Sequence, residues 1–346
     1  MLNYQEQALA KVRKYAKIND NDNLTYLENI CTPFHVNVQQ LIDRVLQSPI
    51  TINFHPDRFA NNGKTVLQNL LEQGYYHGQF RTGTTNGGKT AFIGGDRFLW
   101  EQRMFFNSYP EDALDRPKYG ALNIFRYIDG ACVRFGSCHF ILKQEIIKRC
   151  TFSYGDSSTN PTTLSTNDTF AVVLVELLKD VQKNGKCLNR VVSSEQETLA
   201  ILLNTPHHIK DKGKNLDQCI ETHIHGDISL ANDIDSFYMD GSFKGTTFAK
   251  QAEALCRKYN IALEWIPKRQ VDVGEIGDLF RGPMIPKLAK KIDHLWGNRQ
   301  GIIDARLIGL ASRDSILHPT NWGDIGNDTE VFQYLKQLWH TVGYFG

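Results

Sequence analysis

No stretch of this 346-residue chain is apolar for the roughly 20 residues a helix needs to cross a bilayer, so no membrane role is expected. An excess of charge is missing too. Lysine and arginine total 39 against 38 acids, and a formal net charge of +1 supplies no global field to hold nucleic acid or an anionic surface. Neither is expected as a partner. The seven cysteines (Cys31, Cys132, Cys138, Cys150, Cys187, Cys219, Cys256) contain no Cys-x-x-Cys pair. An odd, scattered set argues against a disulfide scaffold or a zinc ribbon and for reduced thiols in a cytosol. Internal repeats and low-complexity tails are absent as well. The opening "MLNYQEQALAKVRKYAKI" carries Glu6 and amphipathic spacing instead of an apolar core behind a basic stretch, and reads as a first helix.

What is present is an ordinary globular composition, 41% hydrophobic, long enough for one large domain with appendages or for two domains. The pattern divides into a helical region over 1–50, a central unit over 51–265 and a helical extension over 266–346. In the first, helices are expected at Tyr4 to Ile18 and Asn37 to Leu46, separated by the polar "NDNDN". "ITINFHPDRF" reads as a strand and turn, and "KTVLQNLLEQG" as a helix closed by Gly74. From Tyr75 to Gly155, frequent glycines and short aromatic or β-branched runs predict strands and loops. "SYGDSSTNPTTLSTND" reads as a loop before the helix "TFAVVLVELLKDVQ"; its hydroxyl-rich part, "GDSSTNPTTLSTND", is taken as a flexible loop in preference to the alternative, a binding loop. "SSEQETLAILLN" and "TTFAKQAEALCRKYN" are further helices, and "IALEWI" is a last strand.

The chemistry gathers in "QCIETHIHGDISL". On a strand, Glu221, His223, His225 and Asp227 would share one face while Ile220, Ile224 and Ile228 enter the core. His223-x-His225 with Asp227 can aim at one ion. The other histidines, with His207 and His208 in a polar loop and His294, His318 and His340 far apart, complete no ligand set, so no metal is expected. A glutamate on a strand at the floor of a cleft can instead accept a hydrogen bond from a ribose hydroxyl and stabilise the cation formed as a glycosidic bond breaks.

Two stretches converge on it. In "FRTGTTNGGKT", Arg81 at a strand end precedes a glycine-containing turn whose backbone can approach a phosphate, with Arg81 gripping a pyrophosphate oxygen. Gly83-x-x-x-x-Gly88-Lys89-Thr90 also has Walker A spacing, but "YYHGQF" is a poor buried strand and "AFIGGDRF" breaks at two glycines. A nucleotide triphosphatase therefore stays as an alternative. In "CVRFGSCHFIL", Arg134, Gly136 and Ser137 are expected in a strand whose serine fixes the glutamate rotamer. "FHPDR" has a plainer reading, an Asp57–Arg58 ion pair at a turn. In "GGDRFLWEQRMFF", Trp100, Met104 and Phe105 at helical spacing are expected in the core.

Taken in order, "FHPDR", "QFRTGTTNGG", "GGDRFLWEQRMF", "RPKYGALNIF", "RFGSCHF", "TFSYGDS" and "IETHIHGD" resemble a bacterial family long classed as of unknown function and related to the ADP-ribosyltransferase superfamily, which includes a secreted effector enzyme. The resemblance covers residues 51 to 245. It implies an α+β fold, mainly antiparallel, with a split β-sheet core, and a cleft between two small sheets that binds NAD. The superfamily uses an arginine on the first strand, a Ser-Thr-Ser-like second strand and a glutamate on a later one. Carried over, these are Arg81, Ser137 and Glu221, with Thr82, Gly83, Arg134 and His223 beside the dinucleotide. Only one hydroxyl of the serine pattern is present, Cys138 and His139 following Ser137. The Glu-x-Glu of arginine-modifying members is met as Cys219-x-Glu221 or as Glu221-x-His223, the first register being preferred. The implied activity is mono-ADP-ribosyl transfer from NAD to a protein side chain, arginine first, with NAD hydrolysis as an alternative. The implied setting is a protein made in the bacterial cytoplasm and released as an effector into a host cytosol, with a host protein as acceptor.

Overall fold

The computed structural model describes residues 1–84, 88–205, 212–213 and 216–346. His207 and His208, and Thr85, Asn86 and Gly87 of the glycine-containing turn, lie outside the described residues. Among those described, eight strands form one sheet: β1 (Ile50–Phe54), β2 (Lys118–Leu122), β3 (Cys138–Leu142), β4 (Cys150–Tyr154), β5 (Leu164–Thr166), β6 (Ile220–Ile224), β7 (Ile234–Asp240) and β8 (Ala262–Ile266). Their order is β8-β7-β3-β1-β2-β6-β4-β5. Only β7 and β8 run parallel, so the core is mixed and mainly antiparallel.

The ladder is uneven. β1 pairs with β3 over four positions, Thr51 to Phe54, but with β2 only through Ile50↔Leu122 and Thr51↔Ala121. Beyond Thr51 the two central strands part, and the sheet opens into two halves joined at that seam. Gly120 makes the seam close, because a Cβ there would stand 2.7 Å from the Thr51 carbonyl oxygen.

One hydrophobic core runs from Leu27 to Val342, so helices from both ends of the chain share it with the sheet. The helix Ala171–Asn184 buries Val173, Leu174, Val175, Leu177, Leu178 and Val181. The C-terminal helices Met284–Trp296, Ala305–Leu317 and Asp328–Phe345 pack together, and Trp339 Nε1 donates to the Val133 carbonyl at 2.8 Å. The N-terminal helix Asn3–Ala16 places Ala8 and Val12 against Met104, Phe105 and Tyr109.

Several local expectations hold. The helix Val38–Leu46 is capped by Asn37, and Val66–Gln73 opens on a Thr65/Gln68 capping box and ends at Gly74. Asp57 and Arg58 pair at 2.8 Å, and Asp57 also meets Arg313.

Others are corrected. "NDNDN" is not a linker: Asp20–Cys31 is a helix, with Asp20 and Asp22 in the first turn, where the helix dipole favours them, and Leu27 and Cys31 buried. "GQFRT" is a short helix, Gln79–Thr82, instead of a strand end. Val133–Phe135 is a 3-10 turn, and the strand starts only at Cys138. Gly136 lies so close to the Phe54 backbone, with a Cβ position 2.0 Å from the Phe54 carbonyl carbon, that the chain passes there without a side chain before pairing. The "loop" after β4 holds a 3-10 turn, Ser157–Thr159, and then β5.

Candidate active site

Where β1 and β2 part, a cavity of about 390 Å³ opens, within the ~300–1,000 Å³ usual for small-molecule sites. Thr51, Asn53 and Phe54 lie on one side and Tyr119, Gly120, Ala121 and Glu221 on the other. Glu221 is buried at its floor.

The register explains what surrounds this carboxylate. Residues directly opposite in antiparallel strands share a face. Ala121 and Ser153 flank Glu221, while Tyr119 and Thr151 flank His223. The turn after β4 then brings Ser157 over the strand. Glu221 Oε2 accepts from the Ser157 backbone N–H at 3.0 Å, from the Ser157 hydroxyl, and lies 3.0 Å from His223 Nε2. No bond to Oε1 is made among the described residues, nor is Oε1 a buried atom left without a partner. One oxygen is thus held by the protein while the other faces the cleft.

The walls are aromatic and cationic. The helix Asp96–Met104 presents Arg97, Trp100 and Glu101 at spacings of three and four, hence on one face. The Arg97 guanidinium lies over the Tyr119 ring at 4.4 Å and near Trp100 at 5.3 Å. Glu101 is fully buried and takes bonds from the Tyr119 hydroxyl at 2.9 Å and from Arg116 at 3.2 Å; burial raises its carboxyl above the ordinary range. Burial likewise raises the Tyr119 phenol well above its ordinary value. Arg134 and Lys336 add two further cations. Burial, then Arg134, lowers the Lys336 ammonium. The Nε atoms of Arg97 and Arg134 and Nε1 of Trp100 have no hydrogen-bond partner among the described residues.

The residues picked from sequence fare unequally. Glu221, Thr82 and Arg134 line the cavity. His223 does not; it is fully buried and holds Glu221 from behind. Arg81 is outside it. Sitting on a short helix instead of a strand, its side chain is 42% exposed and pairs with Asp115 at 2.6 Å. Gly83 caps that helix and lies off the cavity wall. Ser137 is also displaced: its hydroxyl meets His55 Nδ1 at 3.3 Å, and Ser157 takes the position on the glutamate assigned to it. Asp227 does not join the polar face, because the strand ends at Ile224; its side chain is 63% exposed and 3.7 Å from Lys118. Met104 and Phe105 are core residues as expected, whereas Trp100 faces the cavity. Among the described residues flanking it, the Walker-like stretch has no strand–loop–helix setting. A short helix precedes it, the next helix starts only at Asp96, and Lys89 lies over the Phe332 ring at 4.6 Å.

Fold and cleft define a mixed α/β protein built on a mainly antiparallel sheet, with a buried carboxylate facing a largely apolar, cation-bearing cavity at the sheet's seam. The chain belongs to the DUF3626 family, described as protein of unknown function, whose model matches residues 49–345. The match begins just before β1 and takes in the three C-terminal helices, beyond residue 245 where the resemblance read from motifs stops. No curated protein matches the chain. Among the described residues no helix is long and apolar enough to cross a membrane.

Proposed function

We propose that the cleft binds NAD and that Glu221 drives release of nicotinamide, the ADP-ribose passing to a protein side chain, with arginine the first candidate. The observation that carries this reading is the asymmetric carboxylate: Oε2 is saturated by Ser157 and His223, and Oε1 is open to the cavity. Such a group is preorganised to accept a hydrogen bond from the ribose 2′-hydroxyl. It also places negative charge beside C1′ as the bond to nicotinamide nitrogen breaks and the leaving group takes the electron pair. A guanidinium nitrogen of the acceptor then bonds to C1′ and loses a proton. Water in the same position gives hydrolysis.

The wall cations Arg97 and Lys336, with Arg134, which also pairs with Asp217 at 2.7 Å, would take the pyrophosphate in the part first given to Arg81. Trp100, Tyr76 and Phe80 offer aromatic surface for a base or the nicotinamide ring. The strand placement implied by the resemblance is not met, since Arg81 lies on a helix and the strand after Ser137 is β3, whose neighbours are β7 and β1; the reading rests on the carboxylate and the cavity walls. A triphosphatase is disfavoured by the setting of Lys89.

The test is incubation of the wild type, Glu221→Gln, Arg97→Ala and Lys89→Ala with labelled NAD and a eukaryotic lysate, reading free nicotinamide and label on protein. The wild type should release nicotinamide and label a discrete band. Glu221→Gln should lose about 10²–10³-fold in rate, Arg97→Ala should weaken NAD binding, and Lys89→Ala should match the wild type. NAD cleavage that survives Glu221→Gln would overturn the assignment of the carboxylate, and absence of NAD binding would overturn the whole reading.

A further inference from the structure

Behind Glu221, away from the cavity, the polar side chains of β6 and β4 continue in single file. His223 Nε2 lies 3.0 Å from Glu221 Oε2, and its Nδ1 lies 3.0 Å from the Thr151 hydroxyl. The same hydroxyl lies 3.1 Å from His225 Nε2, and His225 Nδ1 lies 2.6 Å from the Tyr109 hydroxyl. All four residues are buried. We propose that Tyr109, His225, Thr151 and His223 form a one-way hydrogen-bond chain, each donating to the next, that ends on Glu221 Oε2 and holds Oε1 toward the cleft.

The direction follows from proton counting. A threonine hydroxyl has one hydrogen, so between two imidazole nitrogens it donates to one and accepts from the other. If it donates to His223 Nδ1, the Nε2 of that ring carries the hydrogen and gives it to the carboxylate. His225 Nε2 then donates to Thr151, and its bare Nδ1 accepts from Tyr109. Every polar atom in the file is satisfied. With neutral rings, the reverse arrangement leaves His223 Nε2 bare, so that the Ser157 hydroxyl, 3.2 Å away, must leave the carboxylate to donate to it, and it strands the Tyr109 hydrogen without an acceptor among the described residues, a costly state in a buried setting.

The protonation states agree. Burial holds the Tyr109 phenol well above its ordinary value, so it keeps the hydrogen it donates. Burial above all holds His225 well below the ordinary imidazole value, with the nearby Lys118 and Arg149 acting the same way, so it stays neutral and can accept at Nδ1. Phe105 packs edge-on against both imidazoles, at 5.6 and 5.1 Å, and restrains the rings without competing for their nitrogens. These are positioning residues. None of them lines the cavity, and each acts on the reaction only through the orientation of Glu221.

The role of the chain in catalysis rests on the NAD reading; its direction does not, so two readouts separate the ideas. With ¹⁵N-labelled histidine, both His223 and His225 should give the neutral Nε2–H tautomer near pH 7.5. An Nδ1–H tautomer or an imidazolium at either ring would overturn the chain whether or not NAD is cleaved. In nicotinamide release, Thr151→Val, which keeps shape and removes the hydroxyl, should lower kcat about tenfold with KM for NAD within about twofold, and Thr151→Ser should restore it. Tyr109→Phe should lower kcat by about two- to threefold. Wild-type kcat in Thr151→Val, or failure of Thr151→Ser to rescue, would overturn the positioning role. A wild type that never releases nicotinamide would strike the function proposed above and leave the tautomers to judge the chain.

Discussion

From β8 to β1 the sheet is filled with aromatic carbon: Phe54 stacks on Phe237 at 5.7 Å, and Phe140 lies 4.9 Å from each. From β2 to β5 one face carries Glu221, His223, Thr151, Ser153 and Tyr119 instead, largely buried and opening at Glu221 and Tyr119 onto the cavity. The phenylalanine cluster of the first half needs only complementary packing, and its contribution to stability comes from apolar burial. The second must strip water from charged and polar groups and recovers that cost only through partners placed to within a few tenths of an ångström. A chain that fills a core with phenylalanine on one side of a seam, yet places polar groups on the other, departs from packing alone on the side where the proposed site lies.

The contrast can be broken most severely on the apolar side. Phe140→Ala should cost about 3–5 kcal/mol in denaturant titration, while NAD turnover per folded molecule stays unchanged; a loss of turnover without a loss of stability would erase the distinction. Glu221→Gln should do the opposite, with the rate lost as stated above, about 3–4 kcal/mol in barrier terms, and a melting temperature close to that of the wild type. At the seam, Gly120→Ala pushes a methyl group at the Thr51 carbonyl and should cost about 1–3 kcal/mol. Because it shifts one half against the other, turnover should fall along with stability.

The most gradual effect is a slope. Burial lowers His139, stacked on Tyr238 in the apolar half, to about 3, and lowers His225 in the polar half in the same direction. Unfolded histidine takes up a proton near pH 6.5, which these folded sites refuse. Stability should therefore be complete above about pH 6.5 and fall on acidification, by about 1.4 kcal/mol per pH unit per histidine, down to about pH 3 for His139. Denaturation midpoints at pH 7.5, 6 and 5 measure it. His139→Phe should flatten the slope, and an unchanged slope would assign it to other groups.

Much of this was legible in the sequence. Alternation marked β6 and its glutamate, because a period of two survives any tertiary context. Capping residues marked Val38–Leu46 and Val66–Gln73 for the same local reason. The partner of Glu221 was not legible. Ser157 lies 64 positions away, in a hydroxyl-rich stretch that reads as solvent-exposed until β4 and β6 pair. Arg81 was chosen on the premise that its segment is a strand; a four-residue helix turned it outward. Arg97 carried a usable signal, sharing a helical face with Trp100 and Glu101, a cation, an indole and an acid where a core helix would place apolar groups. Asp20–Cys31 was hidden by its polar first turn, although Leu24, Leu27 and Cys31 keep helical spacing.

Lys336 reaches the cavity from the last helix, Asp328–Phe345, while Thr51 and Asn53 reach it from the first strand of the sheet. A growing chain therefore carries its carboxylate long before it carries the full set of cations, and Trp339, which ties that helix to Val133, arrives later still. Closing contacts over so long a span is slow, because the loop entropy must be met before the contacts repay it. The order of synthesis thus acts as a delay: the cleft is completed only after the C-terminal helix has been made and has docked.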